Sequence, residues 1–589
     1  MEKNNTLLNP LLRWMAEGPI EWKRWNTETL KRAGELDRPL CVCVVSSTSR
    51  WSYAMKENFD EPEIVKMLNN DFIPVLCDTS AAPHLTLAAK AMAQIMLGHA
   101  GWPLFLFMTP QREPIFASSY MPKQSADSRV PGLLDVLRRI KWLWLMKRPQ
   151  INEAAKSYAV QMKEALSPYT APVQSNLASR ASSQLMEEAD RSYGGWGEAP
   201  KFPQAPKLLL SAWLCRTMPD GEKELPFLRR TVAAICCGGL YDHLGGGFHD
   251  YCRDREWLQP YLGKHAGQNT ALLAALLECW RVLKDDGLLN IIESSIAWML
   301  KNLDNGEGLF LSGEDLSRSA DVDAYYLWKK DDADAVLKSD SALLGMSQEG
   351  NYPDPLTRKP TGMNLPFWGG SADAHSSLGE AEERLRAAQN ARPLPPLENK
   401  VLLRDNACLA AVLARGGRLA ERPEWLTASE KIMTQIEKRM ILDGSLVNAL
   451  YDSQPEGSAT LDDLSALVWA YIELHRSTGR QHYLDAAVSW GKKCDELFGS
   501  DGAMQLTATS DHELLPAWDA GDDYMFSGAA VMLNNLVSLF SLSSDAFWKS
   551  RAERLIAAFG GALNEYPAAC AGFTLGTLRL WQSTGAEKE

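Results

Sequence analysis

The chain of 589 residues lacks any long hydrophobic run. Its most apolar stretches, Leu40–Ser46 and Pro103–Met108, are far shorter than the roughly 20 residues of a membrane-spanning helix. The first residues lack a basic segment followed by an apolar one, so the sequence predicts no signal peptide. Eleven cysteines are scattered over the chain, unlike the dense framework of a small secreted protein. We therefore expect a soluble cytoplasmic protein with reduced thiols.

The chain has fewer basic than acidic side chains. The chain has 61 lysines and arginines against 74 aspartates and glutamates, a formal net charge of −13. Nucleic-acid binding relies on basic surface, so this composition argues against a nucleic-acid partner. Residues 1–150 carry 19 basic and 15 acidic side chains, a balance of +4, and the rest carries 42 and 59, a balance of −17. A chain of this length needs more than one core, and the charge pattern predicts two regions.

The first region alternates strand-like and helix-like segments. Short apolar runs predict buried strands at 39–45, 72–77, 103–108 and 114–117. The apolar spacing of 61–69 and 84–97 predicts helices, and Pro62 suits a first helical turn. This order of strands and helices is typical of a three-layer α/β domain.

Several short motifs in this region carry a family resemblance. They are Trp51, Phe59-Asp-Glu-Pro-Glu-Ile64, Gly101-Trp-Pro-Leu104 and Phe116-Ala-Ser-Ser-Tyr-Met-Pro122. Together they resemble the thioredoxin-like domain of the spermatogenesis-associated protein 20-like family. In that family the first strand leads into Cys-His-Trp-Cys-His, a CxxC motif at a helix start. This chain has Ser49-Arg-Trp-Ser-Tyr53 there, without either thiol or either imidazole.

The missing thiols predict a redox-inactive domain. A CxxC motif works because the helix N-terminus lowers the pKa of a thiol and stabilises its thiolate. Ser49 and Ser52 can neither supply a thiolate nor form a disulfide, so thiol–disulfide oxidoreductase is the least favoured function. Cys41 and Cys43 share one face of a strand and cannot reproduce the helix-start geometry. Pro103 aligns with the usual cis-proline of thioredoxin-like folds, so the groove beside Ser49 is expected to persist, with Ser49 as a helix cap.

From about residue 176 onward the sequence predicts a long helical array. Amphipathic segments recur in pairs at 204–218, 226–238, 268–284, 289–303, 404–420, 425–440, 461–477, 482–498, 525–541 and 546–562. Such pairing favours an all-α (α/α)6 toroid with inner and outer rings, and a simple solenoid is the alternative. We expect a thioredoxin-like domain at 1–150, a helical linker at 151–175 and the toroid at 176–589. The irregular segment 345–400 is interpreted as a surface insertion, and a lid over the toroid mouth is the less favoured alternative.

The loops between these helices extend the resemblance over most of the chain. The matching motifs are Gly194–Pro203, Gly238–His249, Gly308–Asp315, Leu461–Asp463 and Asp522 with Ser527-Gly528. In this family the helical region resembles six-hairpin glycosidases and N-acylglucosamine 2-epimerase-like enzymes. The resemblance implies a carbohydrate-type pocket at the toroid mouth, although fold analogy does not establish a reaction.

Candidate site residues come from these loops. Asp242, His249 and His243 are the candidate catalytic groups, because glycoside hydrolysis uses carboxylates and epimerisation uses acid–base groups such as imidazole. His265 lies nearby in the sequence. The candidate ligand-binding residues are Trp196, Lys201, Tyr241, Gly246, Trp257, Asp315, Asp462 and Asp522. Each also has a structural interpretation, as a helix cap, a loop anchor or a solvated charge. His243, His249 and Cys252 do not match a familiar zinc spacing, so we expect no metal and no cofactor.

The chain departs from the family pattern where chemistry would be expected. Gly263, Gly267 and Gln268 stand in place of a carboxylate, a tyrosine and an acid, and Asp405 occupies the position of a usual tryptophan. The resemblance therefore implies a divergent member, in the extreme a pseudoenzyme. We expect binding or modification of a sugar-like small molecule in the toroid, with glycosidase-like or epimerase-like chemistry if it is an enzyme. The alternative is a noncatalytic scaffold for a protein partner, and no membrane partner is expected.

Overall fold

The computed structural model describes residues 9–80, 82–125, 131–338, 341–354, 357–367, 379–500, 502–508, 517–523 and 525–585. Within these ranges the chain forms an N-terminal α/β domain followed by a ring of paired helices. No helix in the described ranges combines the length and the apolar character that a membrane crossing requires.

The N-terminal domain is built on a four-stranded mixed sheet. Its strands are β1 (Leu40–Val45), β2 (Ile73–Asp78), β3 (Leu104–Met108) and β4 (Pro114–Ser118), in the order β2-β1-β3-β4. β1 is parallel to β2 and antiparallel to β3, and β3 is antiparallel to β4. β1, β2 and β3 are buried along their whole length, which explains why their sequences are continuously apolar rather than alternating.

Helices cover both faces of this sheet. They are α1 (Pro10–Ala16), α2 (Thr27–Leu36), α3 (Arg50–Phe59), α4 (Pro62–Asp71), α5 (Pro83–Leu97), α6 (Leu133–Met146) and α7 (Arg148–Ala165). One apolar cluster contains Met55 of α3 and Leu137 of α6, and the cluster on the other face contains Met92 of α5 and Met162 of α7. This three-layer arrangement confirms the predicted thioredoxin-like fold. α7 packs on the sheet and so extends the N-terminal domain past the predicted boundary at residue 150. Of the predicted helical linker at 151–175, residues 151–165 are helical and 166–175 are not.

The rest of the described chain is mainly helical. Its helices are α8 (Leu177–Glu187), α9 (Ala205–Thr217), α10 (Leu225–Cys237), α11 (Ala266–Leu283), α12 (Asp286–Asn302), α13 (Ser319–Tyr326), α14 (Lys330–Leu337), α15 (Gly379–Asn390), α16 (Leu403–Leu419), α17 (Pro423–Arg439), α18 (Leu461–Thr478), α19 (Gln481–Phe498), α20 (Gly528–Ser543), α21 (Ala546–Ala558), α22 (Gly560–Glu565) and α23 (Ala571–Thr584). Its short strands are β5 (Trp328–Lys329), β6 (Met363–Asn364), β7 (Val401–Leu402), β8 (Ile441–Leu442), β9 (Ser445–Tyr451), β10 (Gln454–Ser458), β11 (Gly499–Ser500) and β12 (Ala503–Met504).

These helices close into a ring. In the described part of the chain, α9, α11, α16, α18, α20 and α23 each pack on the next, and α23 packs back on α9. Outside them lie α8, α10, α12, α17, α19 and α21, which contact inner helices. Helices of the inner ring such as α11 and α20 are buried almost all round and are therefore rich in Ala and Leu. The arrangement confirms the predicted (α/α)6 toroid and excludes the open solenoid.

The toroid has two different ends. Long connections, such as 238–265 and 303–402, precede inner helices at one end, which we call the mouth. Short connections, such as 284–285 and 479–480, follow inner helices at the other end, which we call the base. All inner helices therefore begin at the mouth and end at the base, and their terminal residues line cavities at opposite ends of one axis.

Several helix boundaries differ from the predicted ones. α20 begins at Gly528 rather than 525, because the Ser527 hydroxyl caps it by accepting from the Ala530 N–H at 3.3 Å. The predicted segment 546–562 is divided into α21 and α22. α8 and α23 were not predicted, and the irregular stretch 345–400 contains α15. Within that stretch, residues 355–356 and 368–378 lie outside the described residues.

Candidate ligand site between the thioredoxin-like domain and the toroid

A cavity of about 290 Å³ lies between the thioredoxin-like domain and the toroid mouth. We call it the interdomain cavity. The first domain contributes Lys90 and a group of hydroxyl-bearing and apolar residues: Ser46, Ser47, Thr48, Thr79, Ser80, Pro83, Thr86, Leu87 and Trp102. The titratable residues that the toroid contributes are His265, Lys400, Arg404, Asp405, Asp462, Asp463, Asp519 and Asp523. The two domains therefore form this site together.

The degenerate redox motif borders this cavity. The loop after β1 turns at Ser46, whose backbone N–H donates to the hydroxyl of buried Ser52 at 3.0 Å. Ser49 precedes α3, but its side chain makes no capping hydrogen bond and instead lies 3.5 Å from the carbonyl of Trp102. The Trp102–Pro103 peptide is cis. The interpretation of Ser49 as a side-chain helix cap is therefore wrong, because the hydroxyl faces the Trp102 loop across the groove.

Lys400 links the two walls of the cavity. Its Nζ donates to the hydroxyl of Ser47 at 2.9 Å and lies 3.6 Å from a carboxylate oxygen of Glu398. Glu398 also accepts from the Ser312 hydroxyl at 2.7 Å. Burial alone would lower the pKa of Lys400, but the carboxylates of Asp78 and Glu398 outweigh it and raise the pKa. Lys400 is thus a buried cation that holds a thioredoxin-domain hydroxyl against the toroid.

Carboxylates at the starts of α16 and α18 line the mouth. Arg404 lies between two of them, with Nε 3.2 Å from Asp405 and Nη1 3.7 Å from Asp462. Asp463 forms a capping box with Thr460, because each side chain accepts from the backbone N–H of the other residue. Burial raises the pKa of Asp462 and raises that of Asp463 to about 6. These carboxyl groups therefore take up protons at a higher pH than exposed aspartates do.

A second acidic group lies in the segment before α20. Burial raises the pKa of Asp519 to about 6, the Lys90 charge opposes the shift, and Asp523 and Asp462 reinforce it. Burial also raises the pKa of Asp522 to about 7, although its oxygens accept from the backbone N–H groups of Ser527 and Gly572. Asp519 lines the cavity, whereas Asp522 mainly fixes the loop to α23. The site thus holds carboxyl groups that titrate near neutral pH.

His265 is the imidazole that lines the interdomain cavity. Its Nδ1 lies 2.7 Å from a carboxylate oxygen of buried Asp250. Burial alone would lower the pKa of His265, but the Asp250 carboxylate outweighs it and raises the pKa to about 9. The ring is therefore a buried imidazolium in an ion pair near neutral pH. The Gln268 amide lies against the same carboxylate.

The three predicted catalytic residues lie in a neighbouring buried network. Asp242 accepts from the Lys264 ammonium at 2.9 Å, and Lys264 also donates to the carbonyl of Gly246 at 2.7 Å. His249 accepts from the Gly263 N–H through Nδ1 at 3.3 Å, and burial lowers its pKa to about 3. His243 lies 2.9 Å from the Gly238 carbonyl through Nε2. These groups hold the glycine-rich loop 238–249 together, and none of the predicted three lines the interdomain cavity.

The predicted ligand-binding residues are divided between the cavity and the core. Asp462 lines the interdomain cavity. Trp196, Tyr241 and Trp257 belong to the apolar core of the toroid. Lys201 is fully buried and donates to Asp190 and to the Gly194 carbonyl, both at 2.9 Å. Asp315 accepts from the Ser317 N–H at 2.9 Å and so fixes a local turn.

Several lining residues were not singled out by the sequence. Lys400, Arg404 and Asp519 were missed because nothing local marks a charge that becomes buried only when distant segments meet. One signal was available: Thr460 and Asp463 have capping-box spacing, which marks the mouth end of α18. Asp405 was noted only as a departure from the family pattern, yet it lies beside Gly267, where an added Cβ would be 2.8 Å from its carboxylate.

The described residues contain no cluster of three or more His, Cys, Asp or Glu side chains suited to a metal ion. All eleven cysteines are unpaired, and none lines the interdomain cavity. Cys41, Cys43 and Cys77 are buried in the sheet, where burial raises the pKa of each thiol above its ordinary value. Such thiols are poor nucleophiles because they stay protonated.

Comparisons with known proteins agree with this architecture. Residues 3–163 match the family model Thioredox_DsbH, described as a protein of unknown function, DUF255. An uncharacterised protein of Caenorhabditis elegans is 25% identical over 98% of this chain and 85% of its own length. Spermatogenesis-associated protein 20 of Rattus norvegicus is 26% identical over 96% of this chain and 79% of its own length, and the Homo sapiens protein is 25% identical over 95% and 78%.

Some solved structures resemble the helical region. A D-mannose isomerase has a TM-score of 0.46 at 8% identity and covers 69% of this chain and 96% of its own. Cellobiose 2-epimerase of Spirochaeta thermophila has a TM-score of 0.45 at 12% identity, covering 70% and 97%. The GH76 alpha-mannanase of Bacteroides thetaiotaomicron has a TM-score of 0.43 at 9% identity, covering 70% and 96%. At these TM-scores the likenesses carry no argument about chemistry. The match of residues 3–163 and the similarity over nearly the whole chain support a relationship to spermatogenesis-associated protein 20-like proteins.

Proposed function

We propose that the interdomain cavity binds a sugar-like small molecule and transfers protons to and from it. The observation that carries this proposal is the set of carboxyl groups with raised pKa values in one partly enclosed space, chiefly Asp463 and Asp519. A carboxyl group with a pKa near 6 exists in both protonation states close to neutral pH, as general acid–base catalysis requires.

The lining of the cavity also offers partners for both the hydroxyl groups and the apolar faces of a sugar. Sugars present hydroxyl groups at their edges and apolar C–H groups on their faces. The hydroxyls of Ser47 and Thr48 and the carboxylate of Asp462 offer partners for the edges. Trp102 and Phe526 offer apolar surface for a face. Asp519 is the proposed proton donor, and Asp462 is the proposed acceptor.

In this proposal the thioredoxin-like domain is redox-inactive and serves as one wall of the site. Ser49 and Ser52 occupy the positions of the two thiols, and Lys400 of the toroid bonds to Ser47 beside them at 2.9 Å. The domain would then supply hydroxyl groups for binding instead of a thiolate for exchange.

A second candidate function is binding without catalysis. Gly267 and Asp405, two positions where the sequence departs from the family pattern, lie against each other in the lining of the cavity. Glycine and aspartate in place of two aromatic residues leave more room and a different charge there. This change favours a ligand, and with it a role, that differs from those of other family members.

The test is a thermal-shift screen of the purified full chain against a panel of neutral monosaccharides and disaccharides. We expect at least one of them to raise Tm by about 2–4 °C at saturation, a rise that Asp462→Asn removes. Asp443→Asn, at an exposed residue of the β8–β9 turn, is the matched control and should keep the rise. NMR of the stabilising sugar then separates turnover from binding alone. A panel without any stabilising sugar would contradict the proposal.

A further inference from the structure

A second cavity runs along the axis of the toroid and reaches its base, at the end away from the thioredoxin-like domain. It has a volume of about 360 Å³, and we call it the base cavity. Its lining contains six arginines and two glutamates: Arg216, Arg281, Arg415, Arg418, Arg476, Arg579, Glu278 and Glu473. The arginines come from the C-terminal halves of five inner helices, with Arg216, Arg281, Arg418 and Arg476 in the last turns. The formal charge of the lining is +4, in a chain whose net charge is −13.

Two glutamates are shared among four of the arginines. Glu278 contacts Arg281 at 2.9 Å and also pairs with Arg415. Glu473 contacts Arg476 at 2.9 Å and Arg418 at 3.3 Å. Each of these arginine side chains remains between 25% and 38% exposed, so their N–H groups are still accessible from the cavity.

Arg579 is held by neutral groups. Its guanidinium donates to the side-chain oxygen of Asn534 at 2.8 Å and to the hydroxyl of Ser538 at 3.2 Å. Burial lowers the pKa of Arg579 to about 10, and the positive charges of Arg476 and Arg415 contribute to the shift. Arg579 is half-buried, and like charges are therefore gathered around it, an arrangement that a bound anion would stabilise.

Helix ends alone do not explain this arrangement. A cation near a helix C-terminus is favoured by the helix dipole, which accounts for one arginine in a last turn. It does not account for six arginines that converge on one cavity with only two carboxylates among them. Arginine forks bind the oxygens of phosphate and carboxylate groups bidentately, and several forks aimed at one space suit a ligand with several such oxygens.

We propose that the base cavity binds a small multivalent oxyanion, either a phosphate ester or a polycarboxylate, through the forks of these arginines. Trp469 and Phe526 add apolar surface to the lining, which suits a ligand with an organic part. Phe526 also lines the interdomain cavity and lies between the two sites. The two proposals share Phe526, but none of the six arginines lines the interdomain cavity, so either proposal can fail alone.

The experiment is isothermal titration of the full chain with fructose 1,6-bisphosphate, citrate and fructose at matched ionic strength. Binding of fructose 1,6-bisphosphate without citrate would identify the ligand class as phosphate esters, and the reverse would identify polycarboxylates. Fructose is the uncharged control, because it has the sugar of fructose 1,6-bisphosphate without the phosphates. Absence of binding by both anions would overturn the proposal.

Substitutions then locate the site. Arg579→Met and Arg216→Gln should each weaken binding of the anion at least tenfold. Arg554→Gln, at an exposed arginine on the outer helix α21, should leave it unchanged. In the absence of anion, Arg579→Met should have a Tm equal to or above that of the wild type, because one of the repelling charges is gone. Equal loss of binding in Arg554→Gln, or unchanged binding in both cavity variants, would contradict the assignment.

Discussion

Arg50 of the thioredoxin-like domain forms a two-point ion pair with Asp323 of the toroid. Its Nη1 lies 3.0 Å from Oδ2 and its Nη2 lies 2.6 Å from Oδ1. Nη2 also donates to the Leu262 carbonyl at 3.1 Å, and the guanidinium lies 5.3 Å from the centre of the Tyr261 ring. In the sequence, Arg50 stands between the two serines of the degenerate redox motif. The segment that would carry the redox thiols is thus the segment that docks the domain onto the toroid.

This contact predicts a large effect of Arg50 on stability. Arg50→Ala should lower the free energy of unfolding by roughly 1–3 kcal/mol, because it leaves the partly buried Asp323 carboxylate and the Leu262 carbonyl without a charged donor. Arg50→Lys should lower the free energy of unfolding by less than Arg50→Ala does, since lysine keeps the charge but not the two-point geometry. Urea unfolding measures the difference. Arg554→Ala is the exposed control, and equal midpoints for it and Arg50→Ala would show that the contact does not stabilise the fold.

The degenerate motif predicts the absence of dithiol chemistry. The wild-type chain should not reduce insulin with dithiothreitol as the electron donor. In Ser49→Cys/Ser52→Cys, diamide treatment should remove two titratable thiols, because both positions lie at the start of α3. That variant should still be a poor insulin reductase, since the toroid covers the groove beside Ser49. Reduction of insulin by the wild type above the rate of dithiothreitol alone would refute redox inactivity.

Lys400 predicts energetic coupling between the domains. Lys400→Met should cost about 2–4 kcal/mol of stability, because Glu398 and Asp78 would lose the cation that compensates their buried charge. Ser47→Ala should cost about 1 kcal/mol, the value of one hydrogen bond. A double-mutant cycle by urea unfolding measures the coupling. If the two losses simply add, Lys400 and Ser47 do not interact as described.

Asp519 predicts a pH-dependent stability. Its pKa is about 6 in the folded chain, against about 4 for an unfolded aspartate. Between these values the folded state binds the proton more tightly, so this group lowers stability as pH rises from about 4 to about 6. Asp519→Asn should therefore raise the free energy of unfolding by about 1–2 kcal/mol at pH 7.5, with a gain that shrinks towards pH 4.

The measurement is urea unfolding of wild type and variant at pH 4.5, 6 and 7.5. In the wild type the Gly521 N–H donates a hydrogen bond to Asp519 Oδ1 at 2.9 Å. The side-chain oxygen of asparagine can accept the same bond, so the local turn is preserved. Asp443→Asn, an exposed aspartate, should show no such trend. A gain independent of pH would mean that Asp519 titrates like an exposed carboxylate.

Elements with a continuous apolar run or a clear helical spacing of apolar residues were predictable from the sequence. The continuous run Leu40–Val45 gave β1, and the segment 461–477 gave α18 almost to the residue. α23 was missed because Gly572 and Gly576 interrupt its sequence and it is buried nearly all round, which hides the period. Those glycines are needed because an added Cβ would meet Ala530 or Leu533 at about 2.9 Å or less.

The site was less predictable than the fold. Charged residues in loop motifs were taken as candidates, but Lys201 is neutralised within the core by Asp190. The charges that line the interdomain cavity, such as Lys400 and Asp519, lie outside recognisable motifs and meet residues of the other domain only after the chain has folded. Sequence spacing records contacts along one helix or loop, whereas a site between domains depends on how their surfaces meet.

The most direct test of a site shared by both domains is hydrogen–deuterium exchange of the full chain with and without the sugar that gives the largest rise in Tm. We expect slower exchange in two segments far apart in the sequence, 46–52 of the thioredoxin-like domain and 519–528 before α20. Protection confined to one domain, or to the base cavity, would contradict a shared interdomain site.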